Sequence, residues 1–200
     1  MKLTNTKEKI LNSALDFFSI HGYSGASIRQ ISRSIGIRES AIYNHYKSKE
    51  EIFLAILSHF KSKTISREIL NDELLDKVIN PELFLKEFAS QLISHWEKPD
   101  ERKFIRLLMM EQFTRIGTKE LSTTEYLSEL RNICKLIFGE MVKNSIIKKI
   151  DPALLADEFI AQLFMIRTEY LSSDEQIIND ALFERVGNHV SFFWRAIKID

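Results

Sequence analysis

Apolar side chains recur every three or four residues along almost the whole 200-residue chain, a spacing that brings them to one face only in a helix. Ile10, Ala14, Phe17 and Phe18 form one stripe; Phe53, Ile56, Leu57 and Phe60 form a second; Leu155, Phe159, Leu163, Ile166 and Tyr170 form a third. No stretch alternates at period two for long enough to make a strand. Six Gly and three Pro are too few for an all-β chain built on tight turns, or for a Gly-rich phosphate loop. The fold class expected is all-α.

Helix starts are legible where a small polar side chain can accept from the orphan amides of a first turn. Asn5 with Glu8, Ser27 with Gln30, Ser48 with Glu51 and Ser122 with Glu125 have capping-box spacing, and Asp151-Pro152 couples a capping carboxylate to Pro at the first helical position. About nine helices are expected, near 5–21, 28–35, 39–45, 49–70, 82–97, 101–115, 123–147, 152–171 and 178–198. Breaks are expected at Gly22 to Gly25, Gly36, Lys47, Asn80-Pro81, Lys98-Pro99, Gly117 and Ser172 to Asp174.

The formal net charge is zero, yet it is unevenly placed: residues 1–65 carry 10 Lys+Arg against 5 Asp+Glu, and residues 66–200 carry 18 against 23. A basic N-terminal module that meets an anion, joined to a mildly acidic body, fits that asymmetry. The opening MKLTNTKEKI has no apolar segment of a secretory kind, and the uncharged run Phe159 to Ile166 is far short of the roughly 18 residues of a membrane span. A cytoplasmic protein is expected. The single Cys134 reads as a small buried hydrophobe; a redox role would require a lowered thiol pKa. There is no G-x-S-x-G, P-loop or G-x-G-x-x-G, and the five His never stand at metal-ligand spacing. No catalytic residue, metal or cofactor is expected, and the chain does not read as an enzyme.

The informative segment is Ser27 to Lys49, SIRQISRSIGIRESAIYNHYKSK. Ile31, Ile37 and Ile42 can fill the space between two short helices, Ser32 is small enough to let them approach, and Gly36 can take the turn. This is helix-turn-helix spacing. With Ile42 turned inward, Arg38, Glu39, Ser40, Ala41, Tyr43, Asn44 and His45 include the groups able to project from the second helix, most of them polar or small, as a helix entering a major groove requires. Tyr43 and Lys49 suit phosphate oxygens, as does Ser27 through its hydroxyl and the amides behind it.

Here the sequence resembles the TetR/AcrR family of bacterial one-component transcriptional regulators. The likeness rests on Phe17-Phe18 followed by His21-Gly22-Tyr23, on Ser27-Ile28-Arg29-Gln30-Ile31-Ser32 with Gly36-Ile37, and above all on Ile42-Tyr43-Asn44-His45-Tyr46-Lys47-Ser48-Lys49-Glu50. It covers about residues 6–60. The resemblance implies an N-terminal three-helix DNA-binding domain (residues 1–48) and a helical effector-binding and dimerisation domain (49–200) that includes the linking fourth helix. It implies a dimeric repressor of a palindromic double-stranded DNA operator, released by a small-molecule effector. Arg29 and Arg38 to Ala41 then stand where bases are reached, and Ser27, Tyr43, His45 and Lys49 where phosphates are clamped. The family usually has a small or capping residue where Arg38 stands, and Arg38 cannot accept from helix-start amides. Glu39 either accepts from a cytosine N4 amine or stands in solvent as a favourable charge at a helix N-terminus. The alternative for the whole chain is the same head on a body that serves protein interaction or activation.

In the last helix Leu182, Val186, Val190, Phe193 and Ile197 repeat at helical spacing beside a second line through Phe183, Gly187 and Trp194. Two apolar faces suit a helix that packs both inward and against a partner subunit, and the resemblance implies a homodimer through the last two helices. For the effector, Trp96, Met109, Met110, Phe113, Phe138, Phe164 and Met165 are adaptable apolar candidates on the central helices. Arg106, Glu111, Gln162 and Arg167 interrupt apolar stretches and can orient a polar group on a ligand or pair at a surface. A moderately apolar effector is expected.

Overall fold

The structure, a computed structural model, describes residues 5–62, 69–71, 74, 76–114, 122–171 and 180–199. Ten α-helices are present among them: α1 Thr6–Gly25, α2 Ile28–Ser34, α3 Glu39–Ile42, α4 Lys49–Ser62, α5 Pro81–Trp96, α6 Pro99–Glu111, α7 Thr123–Tyr126, α8 Ser128–Lys143, α9 Pro152–Tyr170 and α10 Asp180–Ile197. A 3-10 turn, Asp76–Ile79, precedes α5. No strand occurs among the described residues, only an isolated bridge between Ile147 and Lys198. None of the described helices is long and apolar enough to cross a membrane.

The chain divides into two compact units, Met1–Lys63 with Pro99–Tyr126, and Thr64–Lys98 with Leu127–Asp200. In the first, α1 packs against α2, α4 and α6, and α2 against α3. Ile10, Ala14, Leu15 and Phe18 of α1, Ile31, Ile42, and Ile52, Phe53 and Ile56 of α4 are all buried. Each such aliphatic or aromatic side chain contributes on the order of 1.5–3 kcal/mol relative to exposure. Phe18 meets Phe53 edge-on with centroids 6.0 Å apart, and Phe60 stacks on Phe104 of α6 at 4.1 Å. The Lys103–Asp16 ion pair, at 2.6 Å, pins α6 along α1.

In the second unit α8 packs on α9, and α10 on both α5 and α9. Phe159 is its centre, with ring centroids 6.3 Å from Phe88, 5.6 Å from Phe138 and 5.2 Å from Phe193. Asn80 caps α5 by accepting from the Leu83 N–H at 3.2 Å, and Asp151 caps α9 through Ala153 at 3.0 Å, each followed by Pro at the first helical position. Cys134 is buried here, and that burial pushes its thiol well above the ordinary range, so the thiolate a redox sensor needs is disfavoured.

Several boundaries differ from the periodicity reading. α1 continues to Gly25 across a non-helical residue, Gly22, at φ 70°. The 123–147 helix is two, Thr123–Tyr126 and Ser128–Lys143, parted at Leu127. The break at Lys98-Pro99 stands, and Pro99 itself opens α6, two residues before the expected start at 101, as suits a residue with no amide to leave unpaired. The end expected for the fourth helix near 70, and the breaks at Gly117 and Ser172 to Asp174, fall wholly or partly outside the described residues.

Candidate nucleic-acid interface

α2 and α3 are set by a capping box and a turn. The Ser27 hydroxyl accepts from the Gln30 N–H at 3.3 Å while the Gln30 side-chain oxygen accepts from the Ser27 N–H at 2.8 Å, so α2 begins at a fixed point. It ends in a Schellman arrangement: Ile37 N–H donates to the Ser32 carbonyl at 3.0 Å, Gly36 N–H to the Arg33 carbonyl at 3.2 Å, and Gly36 takes φ 71°. Buried Ser32 permits the crossing, and Ile31 and Ile42 fill it.

Arg38 precedes α3 in extended conformation with no side-chain cap bond, as its chemistry demands. Arg38, Glu39, Ser40, Tyr43 and Asn44 are exposed, Ala41 and His45 half-buried, and Ile42 and Tyr46 buried. Inward and outward residues thus separate cleanly. The helix itself is shorter than 39–45: Tyr43 to His45 form a turn, with His45 and Tyr46 N–H both donating to the Ile42 carbonyl. Arg29, exposed on α2, has its Nε 3.9 Å from Glu39 Oε1. This gathers Ser27, Arg29 and the 38–45 segment at the α2–α3 side of one unit.

Lys49 is placed differently from the rest of the expected phosphate set. Its Nζ donates to the Tyr23 and Ala26 carbonyls at 2.8 and 2.9 Å and lies 4.2 Å from the Tyr23 ring centroid. Two of its three donors are engaged within the unit. Glu111, read from sequence as a ligand-orienting or surface group, is buried and accepts from the Tyr23 N–H at 2.8 Å. Sequence reasoning missed both links to Tyr23; the signal lay in Gly22, beside which the chain turns.

Residues 10–56 match the family model of bacterial regulatory proteins, tetR family. Over 55 residues the chain is 40% identical to the HTH-type transcriptional repressor AcnR of Corynebacterium glutamicum, covering 28% of this chain and 29% of that one. It is 43% identical over 47 residues to IcaR of Staphylococcus epidermidis, the HTH-type negative transcriptional regulator of the biofilm operon icaADBC, covering 24% and 25% of the two chains. The chain thus spans less than a third of these relatives' lengths. A solved structure from Mesorhizobium loti, described as a TetR-family transcriptional regulator, superposes with a TM-score of 0.73 at 20% identity over 100% of both chains. Residues 10–56 thus match the tetR-family model, and the whole chain shares the fold of a solved TetR-family regulator.

Beyond residues 10–56, the expected sites are distributed as follows. Arg106, Met109, Met110 and Phe113 belong to the first unit, and Trp96, Phe138, Gln162, Phe164 and Met165 to the second. Trp96 and Phe138 are core residues, Phe164 is half-buried against the Trp96 ring, and Gln162, Met165, Met109, Met110 and Phe113 are exposed, Phe113 at 89%. Arg167 is buried, donates to the Trp96 carbonyl at 3.2 Å and lies over its ring.

The two apolar stripes of the last helix differ in exposure. Leu182, Val186, Val190, Phe193 and Ile197 are at most 7% exposed and belong to the core of their own unit, the inward of the two packings expected for this helix. Phe183, Gly187 and Trp194 keep partial exposure, and Phe192, absent from the expected set, is 70% exposed. Periodicity finds an apolar face but not which of two faces the chain itself covers.

Proposed function

We propose that this chain is a dimeric, cytoplasmic transcriptional repressor, not an enzyme, that binds a palindromic operator through residues 1–48 and is released by a small-molecule effector bound within residues 49–200. The observation that carries the reading is the sorted face of α3: Ile42 and Tyr46 buried, with Arg38, Glu39, Ser40, Tyr43 and Asn44 presented on the opposite side. Short side chains there allow close approach to a major groove, while Arg29 and Arg38 to Ala41 reach base edges. Ser27, Tyr43 and His45 meet phosphates, Ser27 with the open amides of α2 behind it. The two curated relatives named above are a repressor and a negative regulator, which supports repression over activation.

One short reading helix covers only a few base pairs, so specificity requires two copies at a fixed spacing. Exposed apolar side chains on α9 and α10 support this: Leu154, Met165 and Phe192 are exposed, and Phe183 and Trp194 half-exposed. An effector switches the dimer only if it prefers one spacing of the two heads. The aromatic and Met content of the body supports a moderately apolar effector.

The test is selection of duplexes from random DNA by the purified protein, followed by anisotropy titration of the selected and a scrambled duplex at physiological salt. About a thousandfold preference, the scale of specific DNA binders, is expected for wild type. Tyr43→Ala should weaken both duplexes. Failure to enrich any sequence would overturn the reading. A compound that raises the melting temperature and lowers operator affinity identifies the effector class.

A further inference from the structure

The last turn of α1, just past the non-helical Gly22, is gripped at one residue from both sides. The Tyr23 N–H donates to Glu111 Oε1 at 2.8 Å, and the Tyr23 carbonyl accepts from Lys49 Nζ, also at 2.8 Å. A carboxylate therefore holds the donor, and an ammonium the acceptor, of a residue four positions before Ser27 opens α2. The second Glu111 oxygen accepts from the Thr114 hydroxyl at 2.8 Å. Glu111 is 5% exposed, and an acid buried to that degree is costly unless its oxygens are hydrogen-bonded as these are.

The approach also dictates Gly22. That residue takes φ +70°, and a Cβ on it would lie 2.9 Å from Glu111 Oε1 and 3.4 Å from the Met110 side chain. Glu111 is the last residue of α6, which is pinned to α1 a second time by Lys103–Asp16. Both pins advance in the same chain direction, so α1 and α6 run parallel with contacts roughly 10–12 Å apart at 1.5 Å per residue.

We propose that Glu111 is a positioning residue for DNA binding: through the Tyr23 N–H it fixes the Gly22–Ala26 connection, and with it the placement of Ser27, Arg29 and the α2 N-terminus against the duplex. The proposal rests on the DNA-binding reading above. Glu111 acts at a distance from the interface, since its oxygens are occupied inside the unit and an exposed acid there would repel phosphate. Loss of the grip lets the α2 start shift by a fraction of an ångström. That penalises a registered, base-reading complex more than a loose electrostatic one.

The experiment compares wild type, Glu111→Ala, Glu111→Gln and Tyr43→Ala on the selected operator and a scrambled duplex, at a temperature where each variant is fully folded. Glu111→Ala is expected to lose about tenfold or more in operator affinity, the scale of one charge-assisted hydrogen bond, with a much smaller loss on scrambled DNA. Glu111→Gln, whose amide oxygen still accepts from Tyr23, is expected to recover most of the preference. A folded Glu111→Ala that keeps the wild-type ratio of operator to scrambled affinity overturns the proposal, even if its melting temperature falls. If wild type itself shows no preference, or Tyr43→Ala binds like wild type, the DNA-binding reading fails and takes the proposal with it. Should Glu111→Ala not fold, Thr114→Val loosens the same carboxylate from an exposed position. Faster exchange of the Tyr23 amide together with reduced operator preference supports the proposal; faster exchange with unchanged preference overturns it.

Discussion

Arg29 Nε on α2 stands 3.9 Å from Glu39 Oε1 at the start of α3, with both side chains at least half-exposed. On the proposed DNA-binding reading, the arginine offsets the repulsion that an acid on this surface would exert on phosphate. An exposed pair of this kind is worth under about 1 kcal/mol, so either member can leave it for a base. Glu39→Ala is expected to lose selectivity at one operator position, a cytosine whose N4 amine the carboxylate accepts from, by about 1–3 kcal/mol. Competition titrations with single-base operator variants read this. Uniformly tighter binding to every duplex would instead mark Glu39 as solvent-facing.

Two glycines share a positive φ but differ in the rest: Gly22 has ψ 170°, outside the left-handed helical region and all but restricted to Gly, and its surroundings are closer. At Gly36, φ 71°, an added Cβ meets nothing within 4 Å, whereas at Gly22 it meets Glu111 Oε1 at 2.9 Å. Gly36→Ala should therefore cost only the conformational penalty, about 1–2 kcal/mol. Gly22→Ala adds displacement of a buried carboxylate and should cost clearly more, roughly 2–4 kcal/mol. Urea unfolding of both variants checks the order; equal costs would show that the Glu111 approach is not tight.

The contrast shows what the sequence could reveal. The capping box at Ser27, the turn at Gly36 and the burial of Ile31 and Ile42 are local features, fixed by residues within a dozen positions of one another, and they stand where spacing put them. The Glu111–Tyr23 bond spans 88 positions. Helical period tells that α6 has a buried face, but not that the face lies on α1, nor that a lone acid at its end meets a backbone amide. For the same reason the period of α10 gives two apolar stripes but not which of them its own unit covers. Tyr43 to His45 leave the helix although their pattern continues it, because the hydrogen bonds close on Ile42 and the chain must turn to reach Ser48 and α4.

Phe192 is 70% exposed on α10, which also carries the half-exposed Phe183 and Trp194. If α9 and α10 form the dimer surface, Phe192→Glu places a like charge on both copies at a self-complementary contact. Sedimentation should show at least a tenfold weaker dimer at unchanged melting of the isolated chain, given the 2 kcal/mol or so an interface aromatic carries. Val186→Ala, in the core, should instead lower stability by about 1–2 kcal/mol without a specific effect on association.

His189 is half-buried on α10, with Nε2 3.2 Å from the Phe159 carbonyl and its ring beside Phe159 and Phe193. Burial lowers its pKa, and the bond to the Phe159 carbonyl only partly opposes this. The unfolded chain then binds a proton that the folded chain refuses. The stability is fully present above the unfolded value of about 6.5 and is lost as pH falls from there toward the folded value. Between pH 7.5 and 5.5 the wild type should lose more stability in urea than His189→Gln. Parallel losses would show that His189 titrates as it does in the unfolded chain.

Lys49 separates two roles that sequence likeness merges. As a phosphate clamp it would release a counterion on binding and add about 0.9 to the slope of log affinity against log salt. The structure gives its ammonium to the Tyr23 and Ala26 carbonyls, over the Tyr23 ring, where it closes the α1–α2 connection from the side opposite Glu111. A lysine so engaged cannot reach outward without leaving two carbonyls short of a donor. Lys49→Met, which keeps the stem, is therefore expected to lower the melting temperature and the operator preference together while leaving the salt slope unchanged. A slope reduced by about one at wild-type stability would return Lys49 to the phosphates. In that event Glu111 alone would hold Tyr23, and the loss in Glu111→Ala should be correspondingly larger.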